Sequence, residues 1–426
     1  MVVFLIFLLT PIFDKTSIFM FFGVKFIICK ESIKIILHEF LKVHEMDTKR
    51  FERLDLKRIE TPVFIVDETY LERNLKILKS VKERTDCKIL LALKGFAMHS
   101  TFPLMRKYLD GVCASSPHEA RLGREEFGKE VHAYGPAYGE KEMKDLLKYS
   151  DTIVFNSFGQ FEKFRGEVLG KVDVGLRVNP GYAEVENPLY NPCVLNSRLG
   201  IPYKEFRGKS LEGIDGLHFH AMCEQNSDVL ARILKRFEDK FSRYFSEMKW
   251  VNFGGGHHIT RPDYDVDLLC RLVNDFKEEY GVQVYLEPGE AIALHTGVLV
   301  AGVRDVINNG MDIAILDTSA ETHMPDVLAM PYRPEIIGAG KPRQYKYTYR
   351  LGGQTCLAGD VIGDYSFKKK LKTGDKLVFL DMAHYTMVKT TTFNGVKLPD
   401  IAINRKKGGV KVVKRFWYSD YRNRLS

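Results

Sequence analysis

Short apolar runs alternate with amphipathic segments eight times between Lys88 and Glu287, and this alternation constrains the fold more than any other feature of the chain. The runs are Lys88–Leu93, Gly111–Ser115, Val131–Gly135, Thr152–Asn156, Val172–Val178, Gly216–His220, Trp250–Gly254 and Val282–Glu287. In the first, five uninterrupted apolar residues read as a strand buried on both faces, as in a parallel sheet covered by helices. Eight such strands separated by helices predict an α/β fold with a closed (β/α)8 TIM barrel rather than an open doubly wound sheet. Barrels of this kind carry their active sites at the C-terminal ends of the strands, so those ends are where chemistry is sought.

Ahead of the barrel, Thr61–Asp67 reads as a strand. Tyr70–Arg84 follows with helical spacing of Leu71, Leu75, Leu78 and Val81, and Asp67 or Thr69 as N-cap. From about Thr296 the rhythm changes. Val298–Val303, Asp312–Leu316, Tyr345–Tyr349 and Lys376–Leu380 are short runs joined by glycine-containing turns, which predicts a C-terminal all-β barrel domain. The early strand precedes the first barrel helix and is expected to pair into that domain. The expected division is an apolar extension over 1–45, a lead-in with its strand over 46–69, the barrel over 70–295 and the β domain over 296–426.

The extension holds two apolar runs, Met1–Phe13 and Ser17–Val24, broken by Pro11, Asp14 and Lys15. Neither reaches the roughly 18 residues a membrane span needs. With no basic region before the first run, a signal peptide is poorly supported. A membrane-associating anchor, an unusual export signal, or translated sequence upstream of a start at Met46 remain; the polar lead-in opened by Met46 favours the last.

The net charge of +8 is dispersed among acidic residues, and only the tail from Arg405 is locally basic. That describes a solvated surface, with no nucleic-acid or membrane partner expected. Seven cysteines, odd in number and without CxxC spacing, argue against a disulfide framework or a zinc site. A reducing, cytoplasmic setting is expected.

Four strand ends carry chemically specific groups. Lys94 ends the first; partial desolvation there would free its amine for Schiff-base chemistry, although this segment taken alone favours a solvated strand-end lysine. His220 ends the sixth, two residues after His218, and its ring can stack on a flat cofactor or serve as a hydrogen-bonded core histidine. Gly254-Gly-Gly256 ends the seventh, either as an anion cradle of backbone N–H groups or as a tight loop. Glu287 begins Glu287-Pro-Gly-Glu290 after the eighth, where it can hold the ring nitrogen of a pyridine cofactor protonated or stand as a surface acid. In the β domain, Cys356 lies in a glycine-containing loop as a candidate proton donor. Tyr385, in Met382-Ala-His-Tyr-Thr386, is a candidate phosphate ligand.

This order of groups resembles the alanine-racemase-like (fold type III) decarboxylases that use pyridoxal 5'-phosphate (PLP), over about Thr61 to Asn394. Within that group, Leu91-Ala-Leu-Lys-Gly-Phe-Ala97, Gln354-Thr-Cys-Leu-Ala-Gly-Asp360 and Ala383-His-Tyr-Thr386 look most like the carboxynorspermidine decarboxylases. The resemblance implies that Lys94 binds PLP covalently, Glu287 pairs with the pyridine nitrogen and His220 stacks on the ring. Gly254, Gly255, Gly256 and Tyr385 would hold the phosphate. Cys356 would reach the neighbouring subunit's site and return a proton to the carbon that loses carbon dioxide, which implies a homodimer.

Two departures bear on the substrate. Ornithine and diaminopimelate decarboxylases carry arginine where Glu290 stands, and a carboxylate there would repel phosphate unless turned away. Diaminopimelate decarboxylases also follow the cysteine with Glu-Ser, whereas Leu357 and Ala358 follow Cys356 here. The expected substrate is a carboxylated polyamine, and its amines call for carboxylates. Glu290, Glu321, Asp326 and Asp360 are the candidates. The rivals are an ornithine-, arginine- or diaminopimelate-type decarboxylase, a racemase, and a non-catalytic PLP-binding protein.

Overall fold

The structure, a computed structural model, describes residues 16–21, 24–29 and 47–426. The chain divides into two units, Met1–Asp47 and Thr48–Ser426. In the first, Thr16–Phe21 pairs antiparallel with Val24–Cys29; the rest of the expected 1–45 extension lies outside the described residues. No helix among the described residues is long and apolar enough to cross a membrane.

In the second unit, a one-turn helix at Lys49–Glu52 precedes strand β1 (Val63–Asp67) and helix α1 (Glu68–Thr85). Asp67 is the cap: its carboxylate accepts the N–H groups of Thr69 and Tyr70. This satisfies two of the donors that a helix start leaves orphaned. The spacing read from the sequence is the buried face, with Leu71, Leu75, Leu78 and Val81 fully covered.

Eight strands then close into a parallel barrel: β2 (Lys88–Ala92), β3 (Gly111–Ala114), β4 (Glu130–Tyr134), β5 (Thr152–Phe155), β6 (Asp173–Asn179), β7 (Gly216–His218), β8 (Trp250–Asn252) and β9 (Gln283–Leu286). Each pairs with its sequence neighbour, and β9 returns to β2. Amphipathic helices such as Ser227–Phe241 and Val266–Tyr280 cover the outside and bury Leu230, Ile233, Phe237, Leu269 and Val273. Inside, Leu90, Val154, Trp250 and Tyr285 form a layer of their own. Trp250 fits only because Gly216 faces it: a Cβ there would lie 2.1 Å from the indole. Several strands end one or two residues before the sequence runs do, so His220, Gly254 and Glu287 stand on loops at the barrel mouth instead of on the strands.

The β domain is a nine-stranded, mostly antiparallel sheet. Beyond a two-residue strand at Ala339–Gly340, it contains β10 (Gly297–Asn308), β11 (Asp312–Leu316), β12 (Tyr347–Gly352), β13 (Val361–Phe367), β14 (Lys376–Leu380), β15 (Asp400–Arg405) and β16 (Gly409–Lys414). Its pairings form a path with two ends and a branch at β10. As expected, β1 joins it, antiparallel to β10 and parallel to β15. Since β1 leads directly into α1, the barrel starts from a strand of the other domain.

Candidate active site

Four hydrogen bonds donated by backbone N–H groups assemble the barrel mouth. Glu287 N–H donates to the Gly254 carbonyl (2.8 Å) and Ala92 N–H to the Pro288 carbonyl (3.1 Å), joining the loops after β8, β9 and β2. Gly255 N–H donates to Nδ1 of His220 at 2.8 Å, and Tyr385 N–H donates to the Gly95 carbonyl at 2.7 Å. The last bond brings a β-domain residue to the lysine turn. The groups enclose an open cavity of ≈ 390 Å³ lined by Lys94, His220, Gly255, Gly256, Glu287, Glu290 and Tyr385.

Seven of the sequence candidates therefore meet at one place. Lys94 is exposed to the cavity mouth, not desolvated as the buried strand implied, because it stands two residues beyond β2. His220 is pushed well below the ordinary histidine range, first by burial and then by the charges of Lys94 and Arg177. Its ring is thus neutral, with Nδ1 fixed as the acceptor by Gly255.

Glu287 has a polar neighbour at each oxygen. Asn252 Nδ2 donates to Oε1 at 2.8 Å, and His218 Nε2 lies 3.3 Å from Oε2. Burial opposes its charge, but His218, His132 and Asn252 outweigh it and hold the carboxyl down at about 2. The carboxylate is therefore ionised at neutral pH, and Glu287 lines the cavity.

The triple glycine is corrected in part. All three residues are glycine because the loop threads between its neighbours: added Cβ atoms would meet Phe219 O at 2.4 Å, Glu287 O at 2.4 Å and Met222 O at 2.1 Å. Gly254 N–H is spent on Asn252 and Gly255 N–H on His220. An anion is left with the Gly256 N–H and the first N–H groups of the one-turn helix Glu290–Ala293, which, as at any helix start, lack intrahelical acceptors. Burial raises the Tyr385 hydroxyl, which keeps it a proton donor.

Glu290 is turned towards histidines. Its Oε1 lies 3.4 Å from His258 Nε2 and 3.5 Å from His384 Nδ1, and His384 Nε2 lies 3.1 Å from Asp381. Burial disfavours the charge on Glu290, but His384 and His258 hold its carboxyl below the usual range. Burial likewise opposes the charge on His384, yet Asp381 and Glu290 lift it to about 9. The repulsion anticipated between Glu290 and a phosphate is thus offset by a resident cation.

The other candidates lie away from this cavity. Cys356 is exposed on its loop, with its N–H donating to Asn394 Oδ1 at 2.7 Å. Asp326 pairs with Lys389, while Glu321 sits in the one-turn helix Ala320–His323. Asp360 is corrected: it is buried, and accepts from Ser319 Oγ (2.8 Å), Ala320 N–H (2.8 Å) and Thr355 Oγ1 (2.7 Å). It fastens the Cys356 loop to that helix and has no oxygen free for an amine.

The sequence reading missed Asn252, Glu224, His258, His384 and Asp381. Each lies within five residues of a recognised group, and Glu224 and His258 line the cavity. For His384 the linkage sign is fixed: a raised pKa contributes stability that is complete below about 6.5 and lost as pH climbs through about 9. Denaturant midpoints should therefore fall between pH 6.5 and 9 in the natural chain, and less steeply in His384→Asn. Equal slopes would show that the imidazolium is not held in this way.

Comparison with known proteins agrees with this geometry. Residues 26–383 match the family described as "Pyridoxal-dependent decarboxylase, C-terminal sheet domain". A carboxynorspermidine/carboxyspermidine decarboxylase of Campylobacter jejuni is 47% identical, covering 86% of this chain and 98% of its own. A carboxyaminopropylagmatine decarboxylase of Synechocystis is 43% identical, covering 87% of this chain and 96% of its own. The crystal structure of the C. jejuni carboxynorspermidine decarboxylase complexed with norspermidine superposes with a TM-score of 0.81 at 46% identity, covering 86% of this chain and 100% of that one. A mouth that joins a lysine, an ionised carboxylate and a neutral histidine, on a chain matched over this length, belongs to the family of pyridoxal-dependent decarboxylases.

Proposed function

We propose that this enzyme decarboxylates carboxynorspermidine, carboxyspermidine or both, giving norspermidine or spermidine in polyamine biosynthesis. The observation that carries this reading is the likeness to the C. jejuni enzyme over nearly its whole length, together with a carboxylate, Glu290, in the cavity wall.

The residues present fit PLP. When bound, the cofactor supplies the electron sink for the carbanion that carbon dioxide leaves behind. Lys94 would hold it covalently, and Glu287, kept ionised by His218 and Asn252, would keep its ring nitrogen protonated. His220, neutral and fixed by Gly255, would cover the ring. Tyr385 and the N–H groups of Gly256, Glu290 and Ala291 would take the phosphate. Glu290, Glu321 and Asp326 remain for the substrate's amines.

Cys356 would act in the site of a second copy within a homodimer. Support comes from its exposure and from Leu357, Val388 and Phe393, apolar side chains that are also exposed. Cys87, Cys113, Cys193, Cys223, Cys270 and Cys356 are all unpaired, which suits a reducing compartment such as the cytoplasm.

Carbon dioxide release should be measured with carboxynorspermidine, carboxyspermidine, carboxyaminopropylagmatine, ornithine, arginine and meso-diaminopimelate, with Lys94→Ala as the blank. Turnover of the first two is expected to lead. A lead for any other substrate would reject the assignment and leave the decarboxylase. Separately, Lys94→Ala and Cys356→Ala should each be inactive, and mixing them under subunit exchange should restore up to about a quarter of full activity, since half the dimers would be mixed and carry one intact site. No recovery in exchanged dimers would place Cys356 outside the shared site.

A further inference from the structure

Oxygen atoms of Glu224 and Glu290 and a ring nitrogen of His258 lie within 4.8 Å of one another, and all three residues line the cavity. The two carboxylates are not equally served. Glu290 is flanked by His258 and His384, and His384 is in turn held by Asp381. Among the described residues no lysine or arginine pairs with the Glu224 carboxylate; Arg261 reaches only its carbonyl oxygen, at 3.1 Å. The protein packed around Glu224, and then the charge of Glu290, push its carboxyl above the ordinary range.

A second observation is independent of the acids. His258 is 6% exposed, and its Nε2, 3.4 Å from Glu290 Oε1, is buried at the cluster without a well-formed hydrogen bond. An uncompensated carboxylate, a second one beside it and an unsatisfied buried ring nitrogen converge on open space. The carboxylates are relieved by a positive charge, and the ring nitrogen, in the tautomer that leaves it unprotonated, by a hydrogen-bond donor or a metal ion, so one cation serves all three.

We propose that Glu224, Glu290 and His258 form a cation subsite on the wall of the cofactor cavity, occupied by an ammonium group of the substrate. The cation chemistry is read from the residues; its assignment to a polyamine rests on the function proposed above. A divalent metal ion shares this chemistry, and the two sources separate experimentally.

The test uses PLP-loaded protein and Glu224→Gln, an exposed and nearly isosteric change. Norspermidine binding is followed by calorimetry, alongside the KM for carboxynorspermidine and the affinity of the apoprotein for PLP. Loss of one charge-assisted contact should weaken norspermidine binding and raise KM by about tenfold, with PLP affinity unchanged. Unchanged norspermidine binding would overturn the ammonium assignment. In a second arm, zinc or manganese is titrated into the same proteins. Stoichiometric binding that both Glu224→Gln and His258→Gln abolish would assign the subsite to a metal ion, again overturning the ammonium. If the natural enzyme neither binds norspermidine nor turns over carboxynorspermidine, the proposed function fails, and the metal arm alone upholds or rejects a cation subsite.

Discussion

The site depends on the grip that neighbouring strand ends exert on the backbone of Glu287 and Pro288. Bonded to Gly254 on one side and Ala92 on the other, that segment has no freedom to move independently of the barrel. Each such bond contributes a modest net amount, about 0.5–1.5 kcal/mol, but a buried group left without its partner costs more, roughly 1–3 kcal/mol. The loops therefore keep one arrangement. The Tyr385-to-Gly95 bond extends it to the β domain, so the lysine turn, the acidic loop and the hydroxyl donor are one rigid set.

On that frame, two carboxylates three residues apart serve different ends. Glu287 faces the barrel interior, where Asn252 and His218 hold it ionised. Glu290 faces the β-domain side, where His384 supplies a positive charge that Asp381 sustains. Neighbours, not residue type, separate the roles. The result is one cavity wall that carries a fixed negative charge at Glu287 and a histidine-compensated one at Glu290.

Much of the barrel was legible because its strands are apolar runs of ordinary length and its helices are strongly amphipathic. The expected strands of the β domain were those with uninterrupted apolar residues. Val361–Phe367, Asp400–Arg405 and Gly409–Lys414 escaped because glycine, aspartate, lysine and arginine interrupt or bound their apolar residues. Site residues at strand ends could be read, since topology alone carries them to one mouth. Partnership could not. That the Gly255 N–H is taken by His220, or that Asp360 is consumed by Ser319 and Ala320, depends on contacts between segments 35 or more residues apart. Glu224 and His258 were invisible for the same reason, since their meaning lies in their approach to Glu290.

The account's central claim is that the barrel mouth holds PLP through Lys94. Reduction of the holoprotein with borohydride, followed by peptide mapping, tests it most directly. The account predicts a single pyridoxyl group on the peptide containing Lys94. A pyridoxyl group on another lysine, or a protein that binds the cofactor and yields none, would contradict it.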